Sequence, residues 1–425
     1  MQKKEKYKPK FVDLFAGCGG LSLGLETAGF VPIFVNELNP HALETYLANR
    51  DHSFPLLRSK FNHPDIKDLI KKKGALLDQV ADSFKTEYGI DIAKGQLDLL
   101  VGGPPCQGYS GMGHRRSYSV EKNDLPSNHL YQDMAFVIKK LKPKIFLFEN
   151  VKGLQTARWS RDGEKGEIWK DVQETFNSIS EYRVLPHLVY AKNYGVPQNR
   201  PRLLIVGVRK DLNFTPDATR YAQGYLPNPT NEIANLCDVL GDLIDPRYVN
   251  GGVTNKYPSE IKNDFQKWFR TNQISGNVLK KGAPVTEHKY SLHRDAVIEK
   301  FKYMLSHDGR IPVDMQTKKF SQRVLPEVWG SSGPSITATS LPDDYVHYRQ
   351  PRILTVREWA RLQTFPDWYQ FAGKRTTGGI RRAGNPREGI FDREVPRYTQ
   401  IANAVPVKLA EAIGHHFIGM LNHSL

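Results

Sequence analysis

Cys106, Glu149, Arg200 and Arg202 are side chains of the right types for covalent chemistry on an electron-poor ring. A thiolate is a soft nucleophile suited to conjugate addition at a ring carbon. An unperturbed cysteine is only a few per cent thiolate at neutral pH, so neighbouring arginines would help by lowering its pKa. Glu149 could protonate or hydrogen-bond a ring nitrogen, and an arginine could bind a ring carbonyl. Together they would make a pyrimidine carbon nucleophilic without a metal. A papain-like hydrolase would need a histidine partner for the cysteine, and no histidine here has that context. Plainer readings stand beside this one: a free cysteine is usually a small buried apolar residue, and the carboxylate and arginines could be structural or surface ion pairs.

Position is what raises these residues above the plain reading. The run Leu97 to Val101 reads as a buried parallel strand that stops at Gly102-Gly103-Pro104-Pro105. Two glycines and two prolines make a stiff turn, holding Cys106 at a carboxyl strand end, where open α/β sheets place their ligands. Lys144 to Phe148 reads as a second buried strand, with Glu149 projecting from its end one strand over. Flanked by Phe148 and Val151, that carboxyl is expected to be partly desolvated and disposed to donate a proton. Strands Arg183 to Tyr190 and Leu203 to Val208 bracket Gln198-Asn-Arg-Pro-Arg202. In an extended segment Arg200 and Arg202 share a face, which is costly unless an anionic or carbonyl-rich group lies between them.

Earlier in the chain, Phe11 to Phe15 reads as a strand, followed by the turn Ala16-Gly17-Cys18-Gly19-Gly20 and a helix from Leu21 to Ala28. This is how a nucleotide-binding α/β domain begins. Ser22 stands where a dinucleotide fingerprint needs its third glycine, so a cofactor without a pyrophosphate is favoured over NAD. Pro32 to Val35 is the next strand, and Glu37 at its end suits a ribose hydroxyl pair. Asn39 caps a helix that starts at Pro40. Further helices are expected over Lys67 to Tyr88, His129 to Leu141 and Glu167 to Ile179. The polar, glycine-punctuated stretch 108–126 has the character of a lid over a polyanionic substrate, or of a plain surface loop.

The expected fold is α/β, a mostly parallel doubly wound sheet with a smaller irregular domain. Residues 1–209 form the catalytic and cofactor-binding part, 210–346 the small domain, and 347–425 a return segment whose final helix packs on the first part. In 210–346 basic residues such as Lys262, Lys267, Arg270, Lys280, Lys281, Lys318, Lys319 and Arg323 lie among aromatics, as a groove reader or any solvated surface would have them. Thr355 and Glu358 form a capping box for a helix that Pro366 ends. The arginine-rich stretch 373–397 reads as a basic surface loop.

The chain has 425 residues and a formal net charge of +15, a balance typical of proteins that meet a polyanion. Cys18, Cys106 and Cys237 give neither a disulfide framework nor a metal-ligand spacing. No run approaches the ~18 apolar residues of a membrane helix, so a cytoplasmic protein without a membrane partner is expected.

Taken in order, the motifs resemble those of the DNA (cytosine-5)-methyltransferases of bacterial restriction–modification systems. They are Asp13-Leu-Phe-Ala-Gly-Cys-Gly-Gly20, Pro105-Cys-Gln107, Glu149-Asn-Val151, Gln198-Asn-Arg-Pro-Arg202, Arg352-Ile-Leu-Thr-Val-Arg-Glu358 and Gln400-Ile-Ala-Asn-Ala-Val-Pro406. The resemblance spans nearly the whole chain. It implies a Rossmann-like fold, S-adenosylmethionine as cofactor, no metal, and a monomer acting on double-stranded DNA, with 210–346 as target-recognition domain.

It also implies roles. Cys106 would attack carbon 6 of a flipped cytosine, Glu149 would contact ring nitrogen 3, Arg202 would bind the base carbonyl, and Arg200 would support Cys106 and nearby backbone. Phe15 would stack on the cofactor adenine, Glu37 would hold its ribose and Asp65 would meet its amino group. Cys18, Gly20, Leu38, Ile66, Pro104 and Leu130 would line the pocket. Two features depart from the pattern. Ala402 replaces a usual glycine, and the Asp65 to Cys106 segment is long enough for Asp91 to compete with Asp65. An RNA cytosine methyltransferase would be expected to have a smaller region than 210–346, and the full set of four residues argues against a silent DNA-binding protein.

Overall fold

A computed structural model describes residues 7–105, 126–160, 162–212, 214, 224–230, 232–273, 275–316, 322–328, 342–377 and 394–423. Cys106, most of the 108–126 stretch, Lys318, Lys319 and most of the 373–397 loop lie outside them.

Strands β1 (Lys10–Leu14), β2 (Val31–Asn36), β3 (Asn62–His63), β4 (Leu99–Gly102) and β5 (Ile145–Val151) run parallel. With β6 (Tyr182–Tyr190) and β7 (Pro201–Arg209) they form one seven-stranded sheet in the order β3-β2-β1-β4-β5-β7-β6. β7 runs opposite to the other six strands, inserted between β5 and β6 and antiparallel to both. The strand order reverses between β1 and β4, which is the switch point where such sheets take ligands.

Apolar residues sit on both faces of the strands, as a sheet covered on both sides requires. Leu100, Phe146 and Phe148 enter one buried cluster, which they share with helices α1 (Gly20–Ala28) excluded and α2 (Pro40–Ala48), α4 (Ile66–Tyr88), α5 (Leu130–Leu141) and α6 (Glu167–Asn177) included; α3 (Pro55–Ser59) adds Leu57. Leu99, Val101, Ile145 and Leu147 point the other way, into a cluster with Leu21 and Leu25 of α1 and residues 405–421. The sheet is therefore doubly wound. Several starts and stops follow local chemistry: Asn39 accepts from the His41 and Ala42 N–H groups ahead of Pro40, and Gly29 ends α1 with φ of 116°.

The rest of the described chain is irregular, with β8 (Arg323–Val324) and β9 (Tyr345–Val346) as a short separate pair. Its helices are α7 (Leu236–Leu240), α8 (Asp264–Arg270), α9 (Asp295–Ser306), α10 (Val356–Leu362), α11 (Arg397–Asn403) and α12 (Val407–His423). A third cluster joins Cys18 and Leu23 to Val239, Leu240, Phe269, Trp359, Phe365, Tyr369 and Ile401. Buried charge runs through it. Arg361 is held between Asp242 and Asp367 at 2.5 Å each, and Asp242 also accepts from Arg270 at 2.7 Å. Arg270 is thus no groove-facing cation: it is fully buried and lies 3.9 Å over the Tyr257 ring.

The capping box of Thr355 and Glu358 forms, and Arg352 grips Glu358 through two 2.7 Å bonds. Burial alone would push the Glu358 carboxyl up, but Arg352 outweighs it and holds it well below the usual carboxylate range. Some boundaries differ from the sequence reading. Helix α10 ends at Leu362, before Pro366, and α4 is interrupted over Lys71 to Gly74. Strand β5 runs on through Glu149 to Val151 because β7 pairs with it that far, opposing Arg202 to Val151.

Candidate active site

The strand register aligns the candidate residues. Leu14 pairs with Asn36 on one side and Gly102 on the other, and Gly102 pairs with Phe148. The residues that follow, Glu37, Phe15, Gly103 and Glu149, therefore form a row across β2, β1, β4 and β5 at the switch point.

Glu149 and Arg202 meet within this row. Glu149 and Val151 share a face of β5 because side chains alternate, and Arg202 stands opposite Val151. The diagonal neighbour is within reach of a long side chain. Arg202 Nε lies 2.5 Å from Glu149 Oε1, with both side chains largely buried. The setting expected from Phe148 and Val151 is thus supplemented by a cation. Arg202 Nη1 also donates to the Pro201 carbonyl at 2.8 Å.

Arg200 has other partners. It precedes β7, is only 2 % exposed, and its Nη2 donates to the carbonyls of Ala402 at 2.5 Å and Ala404 at 3.0 Å. Arg200 thus meets a carbonyl-rich segment, while the Glu149 carboxylate that pairs with Arg202 also acts on it. Burial, then Arg202, push the Arg200 guanidinium down, with Glu149 pulling the other way. The Ala402 methyl is accommodated in α11, fully buried, with its carbonyl turned to Arg200.

The turn after β4 is clasped by β5. A Cβ on Gly103 would lie 2.8 Å from Glu149 Oε2, so only glycine fits there without displacing that carboxylate. Pro104 is buried, and its carbonyl accepts from Asn150 Nδ2 at 3.3 Å. Glu149 and Asn150, on opposite faces of one strand, thus both touch the turn that leads to Cys106. Asn150 was not singled out in the sequence; its place beside Glu149 was the available signal.

On the cofactor side, Glu37 is half-buried and both its oxygens accept backbone N–H groups, from Gly17 at 2.8 Å and Asn39 at 2.7 Å. Burial pushes its pKa up, against those bonds. Gly17 has φ of 57°, and no atom lies within 4 Å of where a Cβ would stand. Phe15 is half-buried and Leu38 is 70 % exposed. Asp65 caps α4, accepting from Lys67 N at 2.8 Å, while Ile66 is 4 % exposed. Leu130 is half-buried at the start of α5.

Two expected pocket residues face inward. Cys18 is 1 % exposed and its Sγ lies 3.3 Å from the Gln400 carbonyl; burial raises its thiol pKa strongly. A Cβ on Gly20 would meet the Val405 carbonyl at 2.4 Å, so this glycine admits the C-terminal segment. Asp91 caps a short turn and pairs with Lys85 away from the row. Asn36 was also missed: its Nδ2 donates to the His63 and Pro64 carbonyls at 2.8 and 3.0 Å, which sets the approach to Asp65. Among the described residues there is no cluster of three or more metal-ligating side chains, and no helix is long and apolar enough to cross a membrane.

The model of the C-5 cytosine-specific DNA methylases matches residues 9–419. The chain is 29% identical over 421 residues to the Type II methyltransferase M.DdeI of Desulfomicrobium norvegicum, covering 95% of this chain and 86% of the relative. It is 30% identical over 426 residues to the Type II methyltransferase M.XorII of Xanthomonas oryzae pv. oryzae, covering 96% and 84%. A crystal structure of a candidate DNA modification methyltransferase from an Escherichia coli prophage superposes with a TM-score of 0.66 at 25% identity, covering 98% of this chain and 100% of that one. The chain belongs to the family of C-5 cytosine-specific DNA methylases, and with it to the DNA (cytosine-5)-methyltransferases.

Proposed function

We propose that this chain transfers a methyl group from S-adenosylmethionine to carbon 5 of a cytosine in a short, specific sequence of double-stranded DNA. The observation that carries the reading is the row of Glu37, Phe15, Gly103 and Glu149 at the switch point, with Arg202 on Glu149. On this reading a cofactor half would lie beside a base half within neighbouring strands.

The residues fit S-adenosylmethionine. Gly17 leaves open space above the turn, Glu37 offers a fixed carboxylate with lone pairs to spare for hydroxyls, and the Phe15 ring is accessible beside it. When bound, that group supplies an electrophilic methyl. Arg202 and Glu149 bind and orient the flipped cytosine, Arg202 through its carbonyl and Glu149 at ring nitrogen 3. The Cys106 thiolate adds to carbon 6, forming an S–C bond while Glu149 protonates nitrogen 3, and carbon 5 becomes the nucleophile. After carbon 5 takes the methyl, loss of its proton, departure of Cys106 as thiolate and return of the nitrogen 3 proton to Glu149 restore the neutral ring and its double bond. Flipping costs a few kcal/mol, offset by pocket contacts. Arg200 ties the segment before β7 to the C-terminal motif.

Residues 210–346 are proposed to read the sequence, with the chain acting as a monomer in a bacterial cytoplasm as the modification half of a restriction–modification system. Bisulfite sequencing of DNA from a methylation-free host expressing the chain tests this. Protected cytosines confined to one short motif are expected. No protected cytosine, with no transfer by the purified protein and S-adenosylmethionine, would refute it.

A further inference from the structure

The turn that would take the cofactor rests on residues far from it in sequence. Tyr369 Oη donates to the Cys18 carbonyl at 2.6 Å and accepts from Arg50 Nη1 at 3.0 Å. Arg50 Nη2 reaches the Gly19 carbonyl at 3.3 Å, its Nε pairs with Glu26 at 2.7 Å, and its guanidinium lies 3.8 Å over the Tyr46 ring. A Cβ on Gly19 would fall 2.8 to 2.9 Å from Tyr46, Arg50 and Tyr369 together, so the turn lies directly on this platform. Gly19 also has φ of 86°, and the peptide orientation there depends on what its neighbours' carbonyls meet.

The Tyr369 ring is held independently of its hydroxyl, against Phe365 and Phe371 at centroid distances of 5.0 and 5.5 Å. Its main chain is fixed too: Arg357 Nη2 donates to the Tyr369 carbonyl at 2.9 Å, and Asn49 and Gln370 exchange hydrogen bonds at 2.8 and 3.0 Å. The hydroxyl is therefore delivered to the Cys18 carbonyl by a rigid support, not by the turn itself. Removing it would leave a buried carbonyl without this donor, which the turn can relieve only by moving.

We infer that Tyr369, seconded by Arg50, is a positioning residue that sets the Cys18–Gly19 peptide for S-adenosylmethionine. This rests on the proposed use of that cofactor. The test compares the full-length chain with Tyr369→Phe, measuring S-adenosylmethionine Kd, KM for S-adenosylmethionine, kcat and DNA affinity. Tyr369→Phe is expected to weaken S-adenosylmethionine binding and raise its KM about tenfold, with kcat and DNA affinity within about twofold of wild type. Unchanged cofactor affinity, or equal losses in cofactor and DNA binding, would overturn the positioning role. If Tyr369→Phe does not fold, Arg50→Lys carries the same comparison, since it retains a cation for Glu26 while losing the bond to Gly19. A wild-type chain with no affinity for S-adenosylmethionine would overturn both this role and the proposed function, whereas binding unaffected by the substitution overturns this role alone.

Discussion

Glu149 and Arg202 face each other diagonally across β5 and β7, with Nε and Oε1 2.5 Å apart. Each restrains the other, so the carboxyl that should meet the base and the guanidinium beside it are placed before any substrate arrives. Glu149→Gln keeps the shape but cannot supply the same proton. It is expected to lower methyl transfer by roughly 10²–10⁴-fold while leaving S-adenosylmethionine binding intact. Arg202→Lys, which replaces a planar fork by a point charge, should fall in the same direction. A Glu149→Gln chain with wild-type turnover would remove Glu149 from the chemistry.

The turn before Cys106 makes a second demand. A methyl at position 103 would stand 2.8 Å from Glu149 Oε2. Gly103→Ala should therefore reduce kcat more than tenfold by displacing that carboxylate, an amount equivalent to about 1.4 kcal/mol in the barrier. Single-turnover rates on a cognate duplex would show it, with the melting temperature little changed.

Stability in the irregular part depends on buried charge. Arg361→Met removes the cation between Asp242 and Asp367, both almost wholly buried, while Asp242 keeps Arg270. Breaking such a pair costs about 3–5 kcal/mol. Denaturant unfolding should show a lower midpoint for this variant, and an unchanged midpoint would mean that the ions are better solvated than their burial indicates.

A buried acid on β1 makes stability depend on pH. Asp13 is 1 % exposed, accepts from Ser22 Oγ at 2.5 Å, and is pushed up to about 7 by burial. The unfolded chain loses this proton near pH 3.9 while the folded chain keeps it to about 7. Its contribution is therefore fully present below pH ~4 and is lost as pH rises through about 7. Asp13→Asn should gain stability relative to wild type across that interval, by a few degrees in Tm, and hold a constant difference above it. A difference independent of pH would contradict the shift.

Much of the site was legible because it is local. The glycine turn after β1, the Asn39 cap before Pro40 and the stop at Gly103-Pro104 are written in adjacent residues. Glu149 one strand over from the Cys106 strand was expected from two buried runs, and β5 does pair with β4. The partners of the arginines were not legible. Arg202 finds Glu149 only because β7 enters the sheet antiparallel, and an apolar nine-residue strand carries no mark of its direction. Arg270 sits among basic and aromatic residues that a groove-facing surface could also carry, yet Asp242, 28 residues away, draws it inside. Tyr369 reaches Cys18 across 351 residues, a pairing that only the packed chain creates.

The most direct measurement uses a duplex carrying 5-fluorocytosine at the site that bisulfite sequencing protects. Fluorine cannot leave carbon 5 as a proton does, so the bond to Cys106 should persist after methyl transfer. With S-adenosylmethionine present, the expected result is a denaturant-stable complex of chain and DNA whose cross-link maps to Cys106, and none from Cys106→Ala. Methylation of ordinary cytosine without any such complex, or a cross-link at another residue, would contradict the mechanism.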